Sequence, residues 1–402
     1  MKIYFLRIIE EFDKQNEQIS MILNKNQMKI LINSLNLKEQ DLLGQVFKTI
    51  SWNVGSLHIL KILQDCNILS ASEYILQQGD SEEDFEHIQC VMSDMLESNS
   101  ELFANIINNC AHNSSNTKLI FYLDEAMLRL LKDFQENENI ISSDFFRKLL
   151  PFLEGESLEY LTCLCLNFLL ELSTDTAKEA LGQIDNWKSS ISSDSKFYEL
   201  LKEIVISNLR GITNKILQVS LYPNFNHWKY LIITLDIVAR NSDSSLSATI
   251  KKHLRDTFKL AIMKGSLNLM CSLLIIARTV CNEAAESLFD TYSLFYKNTF
   301  GDLKYVVSNK SEFENTIDLL NTIIEAETNP KYLETHAKIS INPFTHCNEM
   351  ILEYKKRCRK KIEEILAPRN SKKRKLDSME NQILEESDTD LFHSQDVILL
   401  DD

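Results

Sequence analysis

The chain has 402 residues, of which only 8 are glycine and 5 are proline. Sandwiches, barrels and glycine-dependent nucleotide folds need turn-forming residues about every 8 to 12 positions, so these folds are excluded. A 44% share of apolar residues excludes a wholly disordered chain, and a net charge of −15 argues against a body coated by nucleic acid. Composition therefore predicts a long, almost entirely helical protein.

Charge is distributed unevenly along the chain. Residues 1–354 carry the whole net charge of −15, residues 355–375 contain 11 basic and two acidic residues, and residues 376–402 contain nine acidic residues and no Lys or Arg. Such charge blocks are usually solvated tails that carry addresses or interaction motifs. We therefore expect a helical-repeat body over residues 1–366 and a disordered tail over residues 367–402.

Apolar residues recur at helical spacing from the first residues to about Leu366. One stripe occupies positions i, i+4, i+7, i+8 and i+11 and predicts an amphipathic helix with one buried face. Its members are Leu123, Met127, Leu130, Leu131 and Phe134. A second helix, over residues 158–172, is apolar nearly all round, so it is predicted to lie between two layers.

Polar segments punctuate these helices. Gly79, Gly155 and Gly265 are each followed by a Ser within two residues, and each is predicted to end one helix before the next is capped. Thr176 and Glu179 have the spacing of a capping box. Polar breaks without glycine fall at residues 112–116, 189–195, 224–226 and 242–245. Intervals of roughly 20 to 40 residues predict stacked helical repeats, and an irregular helical bundle is the alternative.

Residues 164–173, Leu-Cys-Leu-Asn-Phe-Leu-Leu-Glu-Leu-Ser, resemble the third helix of an armadillo repeat. In that family a Leu-x-Asn-Leu pattern lets an Asn, here Asn167, bond the backbone of the neighbouring repeat. The pattern occurs once, and the other units lack the marks of armadillo and HEAT repeats. As architecture the resemblance covers residues 1–350 and implies an all-α, irregular α-solenoid of the armadillo or HEAT type.

The motifs of common active sites are missing from the sequence. The closest glycines, Gly44 and Gly55, are too far apart for a dinucleotide fingerprint or a phosphate loop. Cys163 and Cys165 form the tightest cysteine pair, but residues two apart on a helix cannot share a metal. The sequence predicts a non-enzyme with no catalytic residue, cofactor or metal. The alternative is an active site assembled from distant residues.

Other features concern packing and location. The cluster at residues 227–230, His-Trp-Lys-Tyr, could line a binding groove, although packing of a loop onto the next helix is the favoured interpretation. Nine scattered cysteines are typical of a reducing compartment. Arg7 interrupts the first apolar run, unlike a secretory signal, and no apolar stretch approaches the ~18 residues of a membrane span. We expect a soluble intracellular protein.

The basic segment resembles a nuclear import signal, because two basic clusters are separated by ten residues. The residues of this predicted signal are Lys360, Lys361, Lys372, Lys373, Arg374 and Lys375. The second cluster alone resembles the one-cluster type. An import receptor takes such a peptide in extended form, with its Lys side chains in acidic slots. A nucleic-acid-binding patch and a solvated helix end are the alternatives.

The last residues resemble a SUMO-interacting motif, in which an aliphatic run adds as a β-strand to SUMO and acids meet a basic rim. The motif residues are Val397, Ile398, Leu399, Leu400, Asp401 and Asp402. A short element that docks back onto the body, or chance, is the alternative. Ser387 and Ser394 are candidate phosphorylation sites, because acids follow Ser387 and Gln395 follows Ser394.

Together these features predict a nuclear, non-enzymatic scaffold or adaptor in a SUMO-linked chromatin or DNA-repair assembly. Its expected partners are an import receptor, proteins bound by the helical body, and SUMO. Binding of nucleic acid by the basic tail is compatible with this prediction, and no membrane contact is expected. One alternative is a nucleic-acid-associated factor in ribosome assembly or RNA processing that uses residues 355–375. A second alternative is a nucleocytoplasmic transport adaptor.

Overall fold

The computed structural model describes residues 18–79, 81–136, 144–190, 195–281 and 288–367. Over these ranges the chain forms α-helices and one 3₁₀ turn at Leu150–Phe152, without a β-strand. The predicted all-α helical-repeat class is confirmed. The predicted tail lies outside the described residues from position 368 onward.

The helices of the described ranges are numbered in chain order. The first nine are α1 (Gln18–Asn33), α2 (Leu37–Phe47), α3 (Val54–Asp65), α4 (Ala71–Leu76), α5 (Glu82–Ser98), α6 (Ser100–His112), α7 (Thr117–Glu136), α8 (Phe145–Leu149) and α9 (Gly155–Glu171). The next six are α10 (Ala177–Ser190), α11 (Lys196–Ser207), α12 (Leu209–Val219), α13 (Trp228–Asn241), α14 (Ser244–Lys264) and α15 (Leu267–Val280). The remainder are α16 (Tyr292–Phe300), α17 (Leu303–Val306), α18 (Lys310–Ala326), α19 (Pro330–Lys338) and α20 (348–367).

The chain divides into two compact units. Unit 1 comprises Met1–Thr174, Lys188–Gln218 and Lys229–Asn241. Unit 2 comprises Asp175–Trp187, Val219–Trp228 and Ser242–Asp402. No helix in the described ranges has both the length and the apolar character that a bilayer crossing requires.

Unit 1 is organised around α6, which contacts α4, α5, α7, α8 and α9. The predicted stripe on α7 is confirmed, since all five of its residues are buried. Helix α9 buries Leu161 and Cys165 on one side and Leu166 and Leu170 on others. Because α9 contacts α6, α7 and α11, its predicted position between layers is also confirmed.

The hydrogen bond that the armadillo resemblance assigns to Asn167 is made elsewhere. Asn167 is exposed on α9, and its side chain forms no hydrogen bond with any described residue. Instead, the Oδ1 atom of Asn105 on α6 accepts from the backbone N (3.2 Å) and Oγ (3.0 Å) of Ser72 on α4. An Asn side chain therefore does join two contacting helices through a backbone N atom, but the residue is Asn105 and the helices are α4 and α6.

Unit 2 is organised around α15, whose residues from Leu269 to Val280 are all buried. It contacts α14, α16 and α18. Helix α14 ends at Gly265, whose φ of +55° is the left-handed conformation that glycine adopts without strain. The hydroxyl of Ser266 then accepts from the backbone N of Leu269 and caps α15. The predicted break at Gly265 is confirmed, and its short turn makes α14 and α15 direct neighbours.

Two other predicted helix ends have different outcomes. The capping box before α10 is confirmed, because Thr176 N donates to Glu179 (2.9 Å) and Glu179 N donates to Thr176 Oγ1 (3.3 Å). The prediction for Gly155 is wrong. Helix α9 begins at Gly155 itself, and Ser157 is buried in its first turn rather than serving as a cap.

Candidate functional site

The structure describes part of the predicted import signal. Lys360 and Lys361 lie on α20, where Lys360 Nζ is 3.8 Å from Glu364 and Lys361 Nζ is 3.9 Å from Glu325. The other predicted site residues lie outside the described residues. These are Lys372, Lys373, Arg374, Lys375, Ser387, Ser394, Val397, Ile398, Leu399, Leu400, Asp401 and Asp402.

The aromatic cluster at residues 227–230 packs into the protein. Trp228 is buried, and its Nε1 donates to the backbone oxygen of Phe225 (3.3 Å). Tyr230 is also buried, and its hydroxyl accepts from Gln135 Nε2 (2.7 Å). The loop-packing interpretation is therefore confirmed, and this cluster does not line a groove.

Cysteines and histidines do not assemble into a metal centre in the described ranges, where no three candidate ligands converge. On α9, Cys165 is buried and Cys163 is half-buried. Burial raises the pKa of Cys165 and of Cys110 to about 12, so both thiols stay protonated at neutral pH. Protonated, buried thiols act as packing groups rather than nucleophiles.

A groove of about 330 Å³ lies in unit 2 between α14 and α16. This volume is at the lower end of the roughly 300–1,000 Å³ that ligand pockets occupy. The wall from α14 consists of Lys251, Leu254, Arg255, Phe258 and Lys259. The remaining lining residues are Phe295, Asn298 and Thr299 of α16, with Asp290 and Val306. Because the α14 positions are i, i+3, i+4, i+7 and i+8, they form one helical face.

The groove has an apolar floor and a basic rim. Leu254 and Phe258 are buried, whereas Arg255 and Lys259 are exposed and form no ion pair with any described residue. The described lining residues include three basic side chains, Lys251, Arg255 and Lys259, and one carboxylate, Asp290. Their net charge is therefore +2. In a body with a net charge of −15 over residues 1–354, this rim is a local reversal of sign.

Aromatic packing positions α16 beside α14. The ring of Phe300 meets Phe258 edge-on, with centroids 5.1 Å apart. Tyr292, Tyr296 and Phe300 are buried, whereas Phe295, Asn298 and Thr299 point into the groove. One side of α16 is therefore fixed in the core, and the other forms a wall.

A chain of hydrogen bonds holds the buried side of α16. His336 on α19 bonds the Tyr292 hydroxyl through Nε2 (2.9 Å) and the Tyr354 hydroxyl through Nδ1 (2.8 Å). The Tyr354 hydroxyl also bonds the Tyr296 hydroxyl (2.9 Å). Burial, together with the positive charge of Arg278, lowers the pKa of His336 to about 3. The ring is neutral at pH 7, so one of its nitrogens donates and the other accepts.

A second buried cluster joins α15 to the turn between α18 and α19. Arg278 Nη1 donates to Glu327 (2.8 Å) and to the backbone oxygen of Leu181 (2.9 Å). The backbone N atoms of Thr328 and Asn329 donate to the other oxygen of Glu327. Burial raises the pKa of Glu327, and the charge of Arg278 opposes that shift. This cluster fixes α15, which contacts both helices of the groove, α14 and α16.

Residues 46–366 match the model of a protein family described as Fanconi anaemia group A protein N terminus. The match spans about four-fifths of the 402 residues. The chain belongs to this family. No curated protein and no solved structure matches it. Membership of the Fanconi anaemia group A family supports the coarser part of the predicted function, a DNA-repair-related nuclear protein.

The groove and both buried clusters lie inside the region matched by the Fanconi anaemia group A family, and residues 367–402 lie beyond it. Sequence reasoning missed the groove. The spacing of Lys251, Arg255 and Lys259 along one helical face was a readable signal within an acidic body. The other lining residues begin at Asp290, more than 30 positions after Lys259. No local sequence pattern predicts that α16 packs beside α14.

Proposed function

We propose that this protein is a nuclear, non-enzymatic scaffold that binds protein partners within a DNA-repair assembly. The observation that carries the proposal is the match of residues 46–366 to the Fanconi anaemia group A family. Import through the basic clusters and SUMO binding through residues 397–400 belong to the same proposal. They are supported by sequence patterns alone.

The chemistry of the groove supports binding rather than catalysis. Its lining provides apolar contacts and fixed positive charge, with Asp290 as its carboxylate and neither His nor Cys. General acid–base or nucleophilic catalysis relies on a nucleophile or base that a hydrogen-bonded partner activates, and the described lining residues show no such hydrogen-bonded pair. Val306 lines the groove and is 43% exposed, and the side chain of the preceding residue, Tyr305, is 76% exposed. Exposed aromatic side chains of this kind anchor protein partners.

The proposal is tested in cells of the source organism that lack the protein. We expect reduced survival after DNA damage, restored by the full chain, and accumulation of a fluorescent full chain at sites of damage in the nucleus. A variant with Lys372 to Lys375 replaced by Ala should fail to restore survival, because it stays outside the nucleus. Normal survival of the deficient cells would contradict a repair role.

A second candidate is a nucleic-acid-associated role for α20. Lys356 and Arg359 are exposed on this helix and form no ion pair with any described residue. If the full chain binds DNA or RNA through them, affinity should fall steeply with salt, and K356A/R359A should reduce the salt slope by about two. Binding that does not depend on salt would argue against this role.

A further inference from the structure

The groove between α14 and α16 offers apolar contacts below a basic rim, and the sequence contains a segment of matching chemistry. We propose that the groove binds residues 396–402 of the same chain, Asp-Val-Ile-Leu-Leu-Asp-Asp. This acidic-aliphatic segment would place alternate aliphatic side chains on Leu254, Phe258 and Phe295. The inference does not depend on the proposed nuclear role.

Charge complementarity favours this occupant. The rim carries Lys251, Arg255 and Lys259 against Asp290, whereas the acidic-aliphatic segment carries three carboxylates. An acidic peptide is repelled by most of a body whose net charge is −15, so a local basic rim directs it to one place. Arg255 and Lys259 have no competing ion pair among the described residues.

The apolar part of the groove fits a short aliphatic run rather than a whole helix. Phe258 is nearly buried at 5% exposure, and Val306, which also lines the groove, is 43% exposed. Two facing helical surfaces leave a slot of about 330 Å³. Pockets for alternate side chains are what an extended peptide needs, since successive side chains of a strand point to opposite sides.

The chain is long enough for this contact. Helix α20 packs against α16 through the hydroxyls of Tyr354 and Tyr296, and Tyr296 belongs to the buried side of α16 rather than to the groove wall. The 28 residues 368–395 can span up to about 100 Å when extended. Helix α20 is about 30 Å long, so a tether that starts at its C-terminal end can run back along the whole helix and beyond. A tether that matches its span gives a local concentration on the order of millimolar. Even a weak peptide contact would then be populated.

Docking would conceal the run at residues 397–400 that was predicted to bind SUMO, because one aliphatic face cannot occupy two grooves. Ser394 lies two residues before the acidic-aliphatic segment, and its phosphorylation would add negative charge beside the basic rim. Such a modification would strengthen the intramolecular contact.

Zero-length carbodiimide cross-linking of the dilute full chain, read by mass spectrometry, tests the contact. We expect links from Lys251 or Lys259 to carboxylates of residues 396–402. R255E/K259E should lower the yield of the remaining Lys251 link at least fivefold, whereas the control K252E, an exposed residue of the same helix outside the groove, should not change it. V397S/L399S keeps every charge and should also lower the yield, since it removes the aliphatic anchors.

A charge swap separates docking from general damage to the fold. When R255E/K259E is combined with D401K/D402K, the charges of the groove and of the segment are exchanged and attract each other again. We then expect cross-links between the lysines at positions 401 and 402 and the glutamates at positions 255 and 259. A 1:1 mixture of isotopically heavy and light chains distinguishes the source of the segment, and we expect links within one chain. Links mainly between heavy and light chains would overturn the intramolecular assignment. Equal yields for the native chain and V397S/L399S would overturn the docking itself.

Discussion

The guanidinium carbon of Arg278 lies 3.8 Å from the centre of the Tyr332 ring, so the cation stacks on the aromatic face. The same guanidinium contacts the carboxylates of Glu327 (2.8 Å) and Asp185 (3.5 Å). The partners come from α10, α19 and the turn that follows α18, while Arg278 belongs to α15. One side chain therefore connects four segments of unit 2.

Loss of this side chain should destabilise unit 2 strongly. Arg278→Ala leaves Glu327 buried without its counter-charge, and we expect a loss of about 3–5 kcal/mol in the free energy of unfolding. Differential scanning calorimetry of the full chain measures the change as a lower transition temperature. Because the chain has two compact units, the transition that contains unit 2 is the one to follow.

The matched control for Arg278→Ala is Lys338→Ala. Lys338 pairs with Glu334 at 2.7 Å, but its side chain is 75% exposed, so we expect a change below about 1 kcal/mol. Replacing both buried partners, as in R278M/E327L, should recover part of the loss, because no charge is then left unpaired. Equal transition temperatures for R278A and K338A would refute the role given to the buried pair.

The hydrogen-bonded His336 predicts acid sensitivity. Its pKa is lowered from 6.5 to about 3 in the folded chain, so below pH 6.5 the unfolded chain binds a proton that the folded chain does not. Stability should therefore fall as pH decreases from 6.5 towards 3. Between pH 6.5 and pH 4.5 we expect His336 to lower the free energy of unfolding by about 3 kcal/mol, because each pH unit contributes about 1.4 kcal/mol.

The variant His336→Phe removes this titration, so its stability should decline less between pH 7 and pH 4.5, although it is less stable at pH 7. Some decline should remain, because burial also lowers the pKa of His253 to about 4. His112→Gln is the control, since the His112 side chain is 52% exposed. Transition temperatures measured across this pH range check the slopes, and equal slopes for H336F and the native chain would show that His336 does not titrate as expected.

Local signals made parts of this structure predictable. The Thr176–Glu179 capping box lies within four residues, and the apolar stripe of α7 within twelve, so spacing alone revealed both. The ion pair of Arg278 and Glu327 joins residues 49 positions apart, and tertiary packing decides it. The prediction that a helix ends at Gly155 is wrong because glycine is also tolerated at the first position of a helix. The neighbouring residues do not distinguish these two positions.

The position of Lys360 and Lys361 on α20 favours the one-cluster form of the import signal, residues 372–375, over the two-cluster form that also uses Lys360 and Lys361. A receptor that takes an extended peptide cannot bind them without unwinding the helix, which packs into unit 2 through Tyr354. We expect K360A/K361A to leave nuclear accumulation nearly unchanged. Replacement of Lys372 to Lys375 by Ala should abolish it. Quantitative imaging of tagged full chains checks both, and equal defects would favour the two-cluster form.

Competition between the groove and SUMO follows if residues 396–402 dock as inferred. R255E/K259E should free the aliphatic run and raise the affinity of the full chain for SUMO several-fold, up to about tenfold for a contact populated nine parts in ten. Isothermal titration calorimetry measures the affinity, with K252E as the unchanged reference. Replacement of Val397 to Leu400 by Ala should abolish binding in every background. A lower affinity of R255E/K259E for SUMO would contradict the competition.

Gly182 and Gly155 provide a test of packing in which the same substitution should have opposite effects. A Cβ atom at Gly182 on α10 would lie 3.0 Å from the backbone oxygen of Ala326 and 3.3 Å from Thr328 Cγ2. Gly182→Ala should therefore cost about 1–3 kcal/mol as an overpacked contact. A Cβ atom at Gly155 meets no atom within 4 Å, so Gly155→Ala should stabilise by about 0.4–1 kcal/mol through the unfolded chain. Thermal unfolding of the two full-length variants should shift in opposite directions, and a shift of the same sign would show that the close approach at Gly182 does not constrain that helix.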